Sequence, residues 1–191
     1  QIDVPDKQRL NDLFDRWDYN GNGVLSLAEI DEAYFDKIVG LNMKGPFRLC
    51  ALVGAKMCDQ PDGGSIINVS SNASQRPSMN AGVYGAAKLG LNYFTELFAH
   101  AYGPNVRVNC IQPGPFLTDI SKAWDVETMT EGWKRTSALM RAGEADEVVG
   151  AALYFAGKAS AFTTGATLAI DGGAGISARD PAAAASVKAR M

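Results

Sequence analysis

Residues 65–88 read SIINVSSNASQRPSMNAGVYGAAK, a stretch that passes from one type of secondary structure to another. SIINVSS is rich in β-branched residues and follows a PDGG turn, so it predicts a short strand. GVYGAAK opens a helical pattern over residues 82–102, which a Gly-Pro pair ends. Tyr84 and Lys88 are four residues apart and therefore share one face of that helix. The stretch thus joins the end of a strand to a helix that carries a tyrosine and a lysine side by side.

The sequence on both sides of this stretch alternates between helical and β-rich patterns. Helical periodicity precedes it at residues 35–57, and further helical patterns follow at about 125–140 and 145–157. Two more β-rich runs, VRVNCIQPG and TLAIDGG, occupy residues 106–114 and 167–173. Strands that alternate with helices of this length predict a parallel sheet with helices packed on it. We therefore expect an α/β protein with about three strands.

Composition and charge exclude several classes of protein. The 191 residues are 47% hydrophobic and 20% charged, which is ordinary for a globular domain. Residues 1–34 hold eight acidic and three basic side chains, whereas the rest hold thirteen acidic and fifteen basic, so an acidic head precedes a nearly neutral body. This distribution suits a cation site and disfavours nucleic acid as a partner. The sequence has no apolar run long enough to span a membrane and no secretion signal, and its three cysteines lack metal-type spacing. We therefore expect a cytoplasmic protein with no membrane partner.

Residues 18–29, DYNGNGVLSLAE, follow the pattern of a calcium-binding loop. In such a loop alternate residues direct oxygen atoms inward, a glycine permits the sharp turn, and a final glutamate binds the cation with both oxygens. The flanking segments have helical periodicity, so residues 6–34 resemble an EF-hand; the alternative is an Asn/Gly-rich turn between two helices. The predicted Ca²⁺ ligands are Asp18, Asn20, Asn22, Val24 through its carbonyl, Ser26 through a water, and Glu29.

Four stretches beyond this loop resemble the short-chain dehydrogenase/reductase family, in the family's order and at its usual intervals. They are GLNMKGPF at 40–47, INVSS at 67–71 with YGAAK at 84–88, RVNCIQPGPFLTD at 107–119, and RAGEADEVVGAALYFAGKAS with TTGATLAIDGG between 141 and 173. The resemblance covers about residues 33–176. A single Tyr-x-x-x-Lys spacing would carry little weight, whereas four ordered stretches are specific. One departure is Ser74, at a position where the family often has glycine.

The resemblance implies an oxidoreductase that transfers hydride between NAD or NADP and a small carbonyl compound or secondary alcohol. Tyr84 would be the general acid, Lys88 would favour its deprotonated form and bind the nicotinamide ribose, and Ser71 would hold the substrate oxygen. Asn42 would position a water in the proton relay. The implied cofactor-binding residues are Tyr84, Lys88, Pro113, Gly114, Phe116 and Thr118.

The same residues also have simpler interpretations when each is taken alone. Tyr84 and Lys88 would form an amphipathic surface pair, and Ser71 would cap the end of a strand. Asn42 would be an interruption in a helix. Residues 119–140, with Trp124, Met129, Trp133 and Met140, correspond to the family's substrate-lid region and suggest an apolar pocket without indicating a substrate.

The glycine-rich phosphate turn of the family has no counterpart that we can identify. A dinucleotide site needs a strand, a glycine-rich turn and a helix, and one such unit takes about 30 residues or more. Only 41 residues precede Asn42, and the EF-hand-like segment fills most of them. We therefore expect the C-terminal half of a Rossmann-type parallel sheet, with the first strand left at an unpaired apolar edge. Such an edge favours a homo-oligomer or another chain that covers it. The expected segments are 1–34 (EF-hand-like), 35–178 (partial reductase domain) and 179–191 (tail).

Three interpretations of function remain open. In the first, the chain is an NAD(P)-dependent oxidoreductase, inactive in this form if the cofactor-binding half is missing. In the second, it is a non-catalytic calcium-binding or assembly protein built on a truncated reductase body. In the third, the sequence is composite or misassigned, and its head and body need not share a function. We adopt the first because the four family stretches include the residues that would carry the chemistry.

Overall fold

The computed structural model describes residues 32–77, 81–119, 121 and 125–174, with side chains from residue 34 onwards. The predicted calcium ligands from Asp18 to Glu29 lie outside these residues, as do Trp124 and the predicted tail. Within the described ranges no group of three or more His, Cys, Asp or Glu side chains could hold a metal ion. None of the described helices combines the length and the apolarity that crossing a bilayer requires.

The described part of the chain contains five α-helices and five strands. They are α1 Glu32–Val39, α2 Gly45–Cys58, β1 Gly64–Val69, α3 Gly82–Tyr102, β2 Val106–Pro113, β3 Phe116–Leu117, α4 Val126–Thr136, β4 Gly143–Glu144, α5 Val149–Ala156 and β5 Thr167–Ile170. A π-helical turn, Gly40–Lys44, joins α1 to α2. Short 3₁₀ turns cover Asn72–Ser74, Ala145–Val148 and Lys158–Ser160.

β1, β2 and β5 form a parallel sheet with β2 in the centre. Gly64–Val69 pairs with the segment from Val106 to Ile111, and Thr167–Ile170 pairs with the segment from Cys110 to Pro113. The three strands that the sequence predicted are confirmed, as is the Rossmann-like α/β class with flanking helices. β3 and β4 form a separate two-residue parallel pair, which the sequence did not indicate.

β2 is buried on both faces because helices cover both sides of the sheet. Val106, Val108 and Cys110 are each at most 1% exposed, and the two valines belong to the core formed with α2 and α3. The intervening residues face the opposite side. There the Arg107 guanidinium donates to the carbonyl of Phe155 at the end of α5. A cation at the C-terminus of a helix is favourable because the last carbonyls carry partial negative charge.

β1 lies at an edge of the sheet. Among the described residues it has a hydrogen-bonded neighbour on one side only, and Val69 at its end is 54% exposed. The unpaired edge that the sequence predicted is therefore present in the described part of the chain. Such an edge offers backbone N–H and C=O groups to another strand.

α2 and α3 pack closely through aromatic side chains. The Phe47 ring centroid lies 4.8 Å from that of Phe94, and the Tyr102 hydroxyl donates to the Ala51 carbonyl at 3.1 Å. A Cβ at Gly54 would overlap the Tyr102 ring, so the crossing requires glycine there. The helix predicted over 35–57 is thus largely correct, but the structure divides it.

The break in the first predicted helix and the ends of the later helices differ from the sequence prediction. Residues 40–44 form the π-helical turn instead of continuing the α-helix. The pattern over 145–157 begins with a 3₁₀ turn before α5, and α4 ends at Thr136, where Ser137 becomes extended. The three cysteines are free, and His100 lies in the last turn of α3.

Candidate active site

The carboxyl ends of the three parallel strands meet at one edge of the sheet. β1 ends at Val69 and leads towards Ser71, β2 ends at Pro113 and leads to Gly114, and Asp171 follows β5. Ligands of open parallel α/β sheets bind in the crevice outside this edge. The site residues that the sequence predicted after strands therefore lie on the side where a ligand would be held.

Tyr84 and Lys88 lie one turn apart near the start of α3, and both are half-buried. The Lys88 Nζ is 5.6 Å from the centroid of the Tyr84 ring and donates a hydrogen bond to the Val69 carbonyl at 2.8 Å. An ammonium group has three N–H donors, so this bond leaves two for a ligand. Burial lowers the pKa of the Lys88 ammonium from its ordinary value. The pair is thus brought together at the end of β1.

Ser71 begins the 3₁₀ turn that follows β1. Its Oγ accepts a hydrogen bond from the Ala73 N–H at 3.2 Å, so Ser71 caps this turn, and its hydroxyl hydrogen can still donate to a ligand. The neighbouring Ser70 is buried and donates to the Lys88 carbonyl at 3.0 Å. This bond ties the serine-bearing turn to α3 at the residue that carries the ammonium group.

Asn42 lies in the π-helical turn, with its amide donating to the Ile38 carbonyl at 3.0 Å. Pro46 has no N–H, so the α-helical hydrogen bond that would reach the Asn42 carbonyl from that position cannot form. α3 approaches the same turn closely, since a Cβ at Gly90 would lie 2.6 Å from the Met43 sulfur. π-helical turns occur frequently at functional sites. Asn42 therefore lies where the backbone departs from regular helix, beside α3.

The predicted cofactor loop follows β2. The Gly114 N–H donates to the Ile170 carbonyl at 2.9 Å, and a Cβ at Gly114 would lie 2.8 Å from Asp171, so glycine is required by the close approach of these two strand ends. Phe116 belongs to β3, which pairs with β4. The Thr118 N–H donates to the Ser121 Oγ at 3.0 Å, and the Thr118 side chain is exposed.

A cavity of about 190 Å³ lies beside this loop. Its walls include Phe116, Leu139 and Ile170, and also the ion pair of Arg141 and Glu147, whose Nη2 and Oε1 atoms are 2.6 Å apart. This ion pair and a backbone N–H lower the pKa of the Glu147 carboxyl to about 2. The cavity next to the predicted lid is therefore partly charged, not purely apolar.

The four lid residues named from the sequence differ in their surroundings. Trp133 is buried at 9% exposure, so it contributes to packing under α4. Met129 and Met140 are partly exposed, and Trp124 lies outside the described residues. Met140 has a positive φ of 59°, a conformation that few non-glycine residues adopt.

Three polar residues at this edge were not nominated from the sequence. Ser74, Asn92 and Gln112 are joined by hydrogen bonds around the Ser74 hydroxyl. Asn92 had a signal, because it follows Tyr84 and Lys88 at the same four-residue spacing and so shares their helical face. The only feature of the sequence that points to Gln112 is its position immediately before Pro113, a predicted cofactor-binding residue.

Comparison with known proteins finds reductases and dehydrogenases that are similar to this chain. The family profile described as Enoyl-(Acyl carrier protein) reductase matches residues 20–175. An L-xylulose reductase of Caenorhabditis elegans is 33% identical over 150 residues, which make up 78% of this chain and 60% of the relative. The chain belongs to the short-chain dehydrogenase/reductase family. The resemblance stated from the four stretches is thereby confirmed, and the profile match begins inside the predicted calcium loop.

Solved structures of short-chain dehydrogenases/reductases share the described fold. A gluconate 5-dehydrogenase from Burkholderia cenocepacia J2315, in complex with NADP and tartrate, superposes with a TM-score of 0.71 at 27% identity over 75% of this chain and 57% of its own. A 3-oxoacyl-[acyl-carrier protein] reductase from Brucella melitensis with bound NAD gives a TM-score of 0.68 at 26% identity over 77% of this chain and 54% of its own. The 191-residue chain therefore spans a little over half the length of these relatives.

Proposed function

We propose that the chain acts as an NAD(P)-dependent oxidoreductase on a carbonyl compound or secondary alcohol, with Tyr84 and Lys88 at the centre of the site. The observation that carries this proposal is the arrangement at the end of β1. The Lys88 ammonium lies over the Tyr84 ring and is tied to the Val69 carbonyl, and the Ser71 turn is tied to the Lys88 carbonyl through Ser70. Three groups suited to moving a proton onto an oxygen, those of Tyr84, Lys88 and Ser71, therefore lie around the end of β1.

Each of these groups has a chemical task in the proposed reaction. The Ser71 hydroxyl donates to the substrate oxygen, and the Tyr84 phenol transfers its proton to that oxygen during carbonyl reduction. The Lys88 ammonium stabilises the phenolate that remains, because an opposite charge nearby favours the ionised form. A water held at Asn42 would then pass a proton from the solvent to the Tyr84 phenolate. When bound, the nicotinamide supplies the hydride.

The residues of the loop after β2 fit the nicotinamide end of the cofactor. Two N–H donors of Lys88 remain for the hydroxyls of a ribose. Gly114 lets the ends of β2 and β5 approach closely, which brings the loop after β2 beside Asp171. We propose that Pro113, Gly114, Phe116 and Thr118 line this position. Relatives are named for NAD and for NADP, so either cofactor is compatible with the family.

We further propose that a second copy of the chain packs on α2 and α3. Large apolar side chains on these helices are exposed: Leu49 by 63% and Leu52 by 72% on α2, and Leu89 by 56% on α3. Large exposed apolar patches usually mark surfaces that contact another molecule. Another chain pairing with the β1 edge is the alternative partner that the sequence suggested.

Calcium binding is a second candidate function, and only the sequence of residues 18–29 favours it. Asp18, Asn20, Asn22, Val24, Ser26 and Glu29 supply the oxygen donors of the pattern. With two asparagines at ligand positions the loop carries little negative charge, so we expect modest affinity. A non-catalytic calcium-binding or assembly protein would combine this loop with a reductase fold that no longer binds cofactor.

One titration separates these two functions. NADH and NADPH are added to the purified 191-residue chain, once with calcium and once with a chelator, and bound nicotinamide is followed by fluorescence. We expect saturable micromolar binding of one of the two cofactors. Absence of binding in both conditions would show that this chain is not a self-sufficient oxidoreductase. A calcium-dependent shift of thermal unfolding in the same samples would then support the calcium-binding alternative.

A further inference from the structure

Ser74 has a buried hydroxyl that makes hydrogen bonds to three separate parts of the structure. It is 8% exposed and ends the 3₁₀ turn that Ser71 begins. Its Oγ donates to the Ser71 carbonyl at 2.6 Å and accepts from the Gln112 Nε2 at 2.5 Å and the Asn92 Nδ2 at 3.1 Å. A hydroxyl has one donor and two acceptor positions, and these three bonds fill them; the Ser70 Oγ, which donates to the Lys88 carbonyl, lies 3.5 Å from the Ser74 Oγ.

Both amides that donate to Ser74 are themselves oriented by other groups. The Gln112 Oε1 accepts from the Gln75 amide at 2.6 Å, and the Asn92 Oδ1 faces the Cys110 thiol at 3.6 Å. Within the described residues no buried side-chain nitrogen or oxygen lacks a partner. Because each of these side chains has hydrogen-bond partners on other elements, the network favours one geometry of the turn.

This hydrogen-bond network determines the conformation of Ser71. Its carbonyl accepts from both the Ser74 N–H, at 3.0 Å, and the Ser74 Oγ, and its own Oγ is held by the Ala73 N–H. The turn also touches α3 directly beside Tyr84, since a Cβ at Gly85 would lie 2.7 Å from the Ala73 carbonyl. Movement of the turn would therefore move the Ser71 hydroxyl relative to the tyrosine.

We propose that Ser74 is a positioning residue for the proton-transfer site, holding the Ser71 hydroxyl against α3 and β2 in register with Tyr84. This role rests on the function proposed above. Gln112 and Asn92 carry the constraint to the two elements that bear the cofactor loop and the catalytic pair. Ser74 touches neither substrate nor cofactor in this role and acts through Ser71.

Removing the hydroxyl while keeping the fold tests this role. In Ser74→Ala the buried Gln112 amide and the partly buried Asn92 amide lose an acceptor, and each such loss weakens the turn. We expect amide hydrogen exchange at residues 73–75 of the 191-residue chain to become roughly tenfold faster or more. Ser160→Ala is the matched control, because Ser160 is fully buried and hydrogen-bonded but lies at the opposite end of the sheet, near Arg107. It should leave exchange at 73–75 unchanged.

Kinetics separate positioning from general destabilisation. Ser74→Ala is expected to lower kcat roughly tenfold with KM little changed, and Ser74→Thr, which retains a hydroxyl, should recover most of the loss. In a Ser71→Ala background the same substitution should have no further effect on kcat, because it acts through Ser71.

Each result has a distinct meaning. Unchanged exchange at 73–75 in Ser74→Ala would overturn the positioning role, whatever the activity. Additive losses of kcat in the double variant would overturn it as well. A wild-type chain without turnover would overturn the proposed function instead, and the exchange measurement would then decide by itself whether Ser74 holds the turn.

Discussion

Replacing Tyr84 by phenylalanine is expected to abolish carbonyl reduction while leaving binding of the nicotinamide cofactor intact. The substitution removes the phenolic proton that we propose is transferred to the substrate oxygen, and general acid catalysis of this kind contributes roughly 10²- to 10⁴-fold to a rate. The aromatic ring stays, so the contact with the Lys88 Nζ, at 5.6 Å from the ring centroid, is retained. We expect kcat to fall about 10³-fold with a cofactor Kd within a factor of about two of the wild type.

Tyr93→Phe is the matched control for this prediction. Tyr93 lies on the same helix but is 67% exposed, so loss of its hydroxyl should change neither kcat nor cofactor binding. Single-turnover reduction, measured by stopped flow with each variant, separates loss of chemistry from loss of binding. Unchanged turnover in Tyr84→Phe would show that Tyr84 is not the general acid of the reaction.

Replacing Lys88 by methionine is expected to damage both binding and chemistry. The substitution removes the cation that would stabilise the Tyr84 phenolate, and it removes the donors proposed for the ribose hydroxyls. It also leaves the Val69 carbonyl without the hydrogen bond it receives at 2.8 Å. We expect kcat to fall by roughly two to three powers of ten and the cofactor Kd to rise about tenfold. Lys158→Met, an exposed lysine in another part of the fold, is the control for loss of one positive charge.

The pH dependence of the wild type gives a second measurement of Lys88. Since burial lowers its pKa, the ammonium loses its proton at a lower pH than a free lysine, whose pKa is about 10.4. Turnover should therefore decline on the alkaline side before that pH is reached. The unfolded chain binds the proton more tightly, so between the two pKa values the contribution of Lys88 to the free energy of unfolding rises with pH. Lys88→Met should lack this rise. An identical pH profile of stability in both proteins would contradict it.

Much of the architecture is predictable from the sequence because its signals are local. VRVNCIQPG becomes the central strand, and its buried Val106, Val108 and Cys110 alternate with polar residues, as the two-residue period of a strand requires. The helical spacing of Tyr84 and Lys88 correctly predicts that they lie side by side. The unpaired edge of β1 likewise followed from counting the strands in the sequence.

Features that depend on tertiary packing were not predictable in the same way. Residues 40–44 have helical periodicity, which does not distinguish their π-helical form from an α-helix, although Pro46 removes one α-helical hydrogen bond there. The bonds of Ser74 join positions 74, 92 and 112, which are far apart in the chain and meet only once β2 and α3 are in place. Periodicity indicates the face on which a polar residue lies and not its partner. The partly charged wall of the cavity beside the loop has the same origin, since the pairing of Arg141 with Glu147 is a contact of the folded chain.

The most direct test of the proposed function is to follow hydride transfer itself. The 191-residue chain is incubated with NADH or NADPH carrying deuterium on the transferable position of the nicotinamide, together with a set of small ketones and aldehydes, and the products are examined by mass spectrometry. We expect deuterium on the carbinol carbon of at least one alcohol product, and none when Tyr84→Phe replaces the wild type. No labelled alcohol from the wild-type chain with either cofactor would contradict the assignment of this chain as a working oxidoreductase.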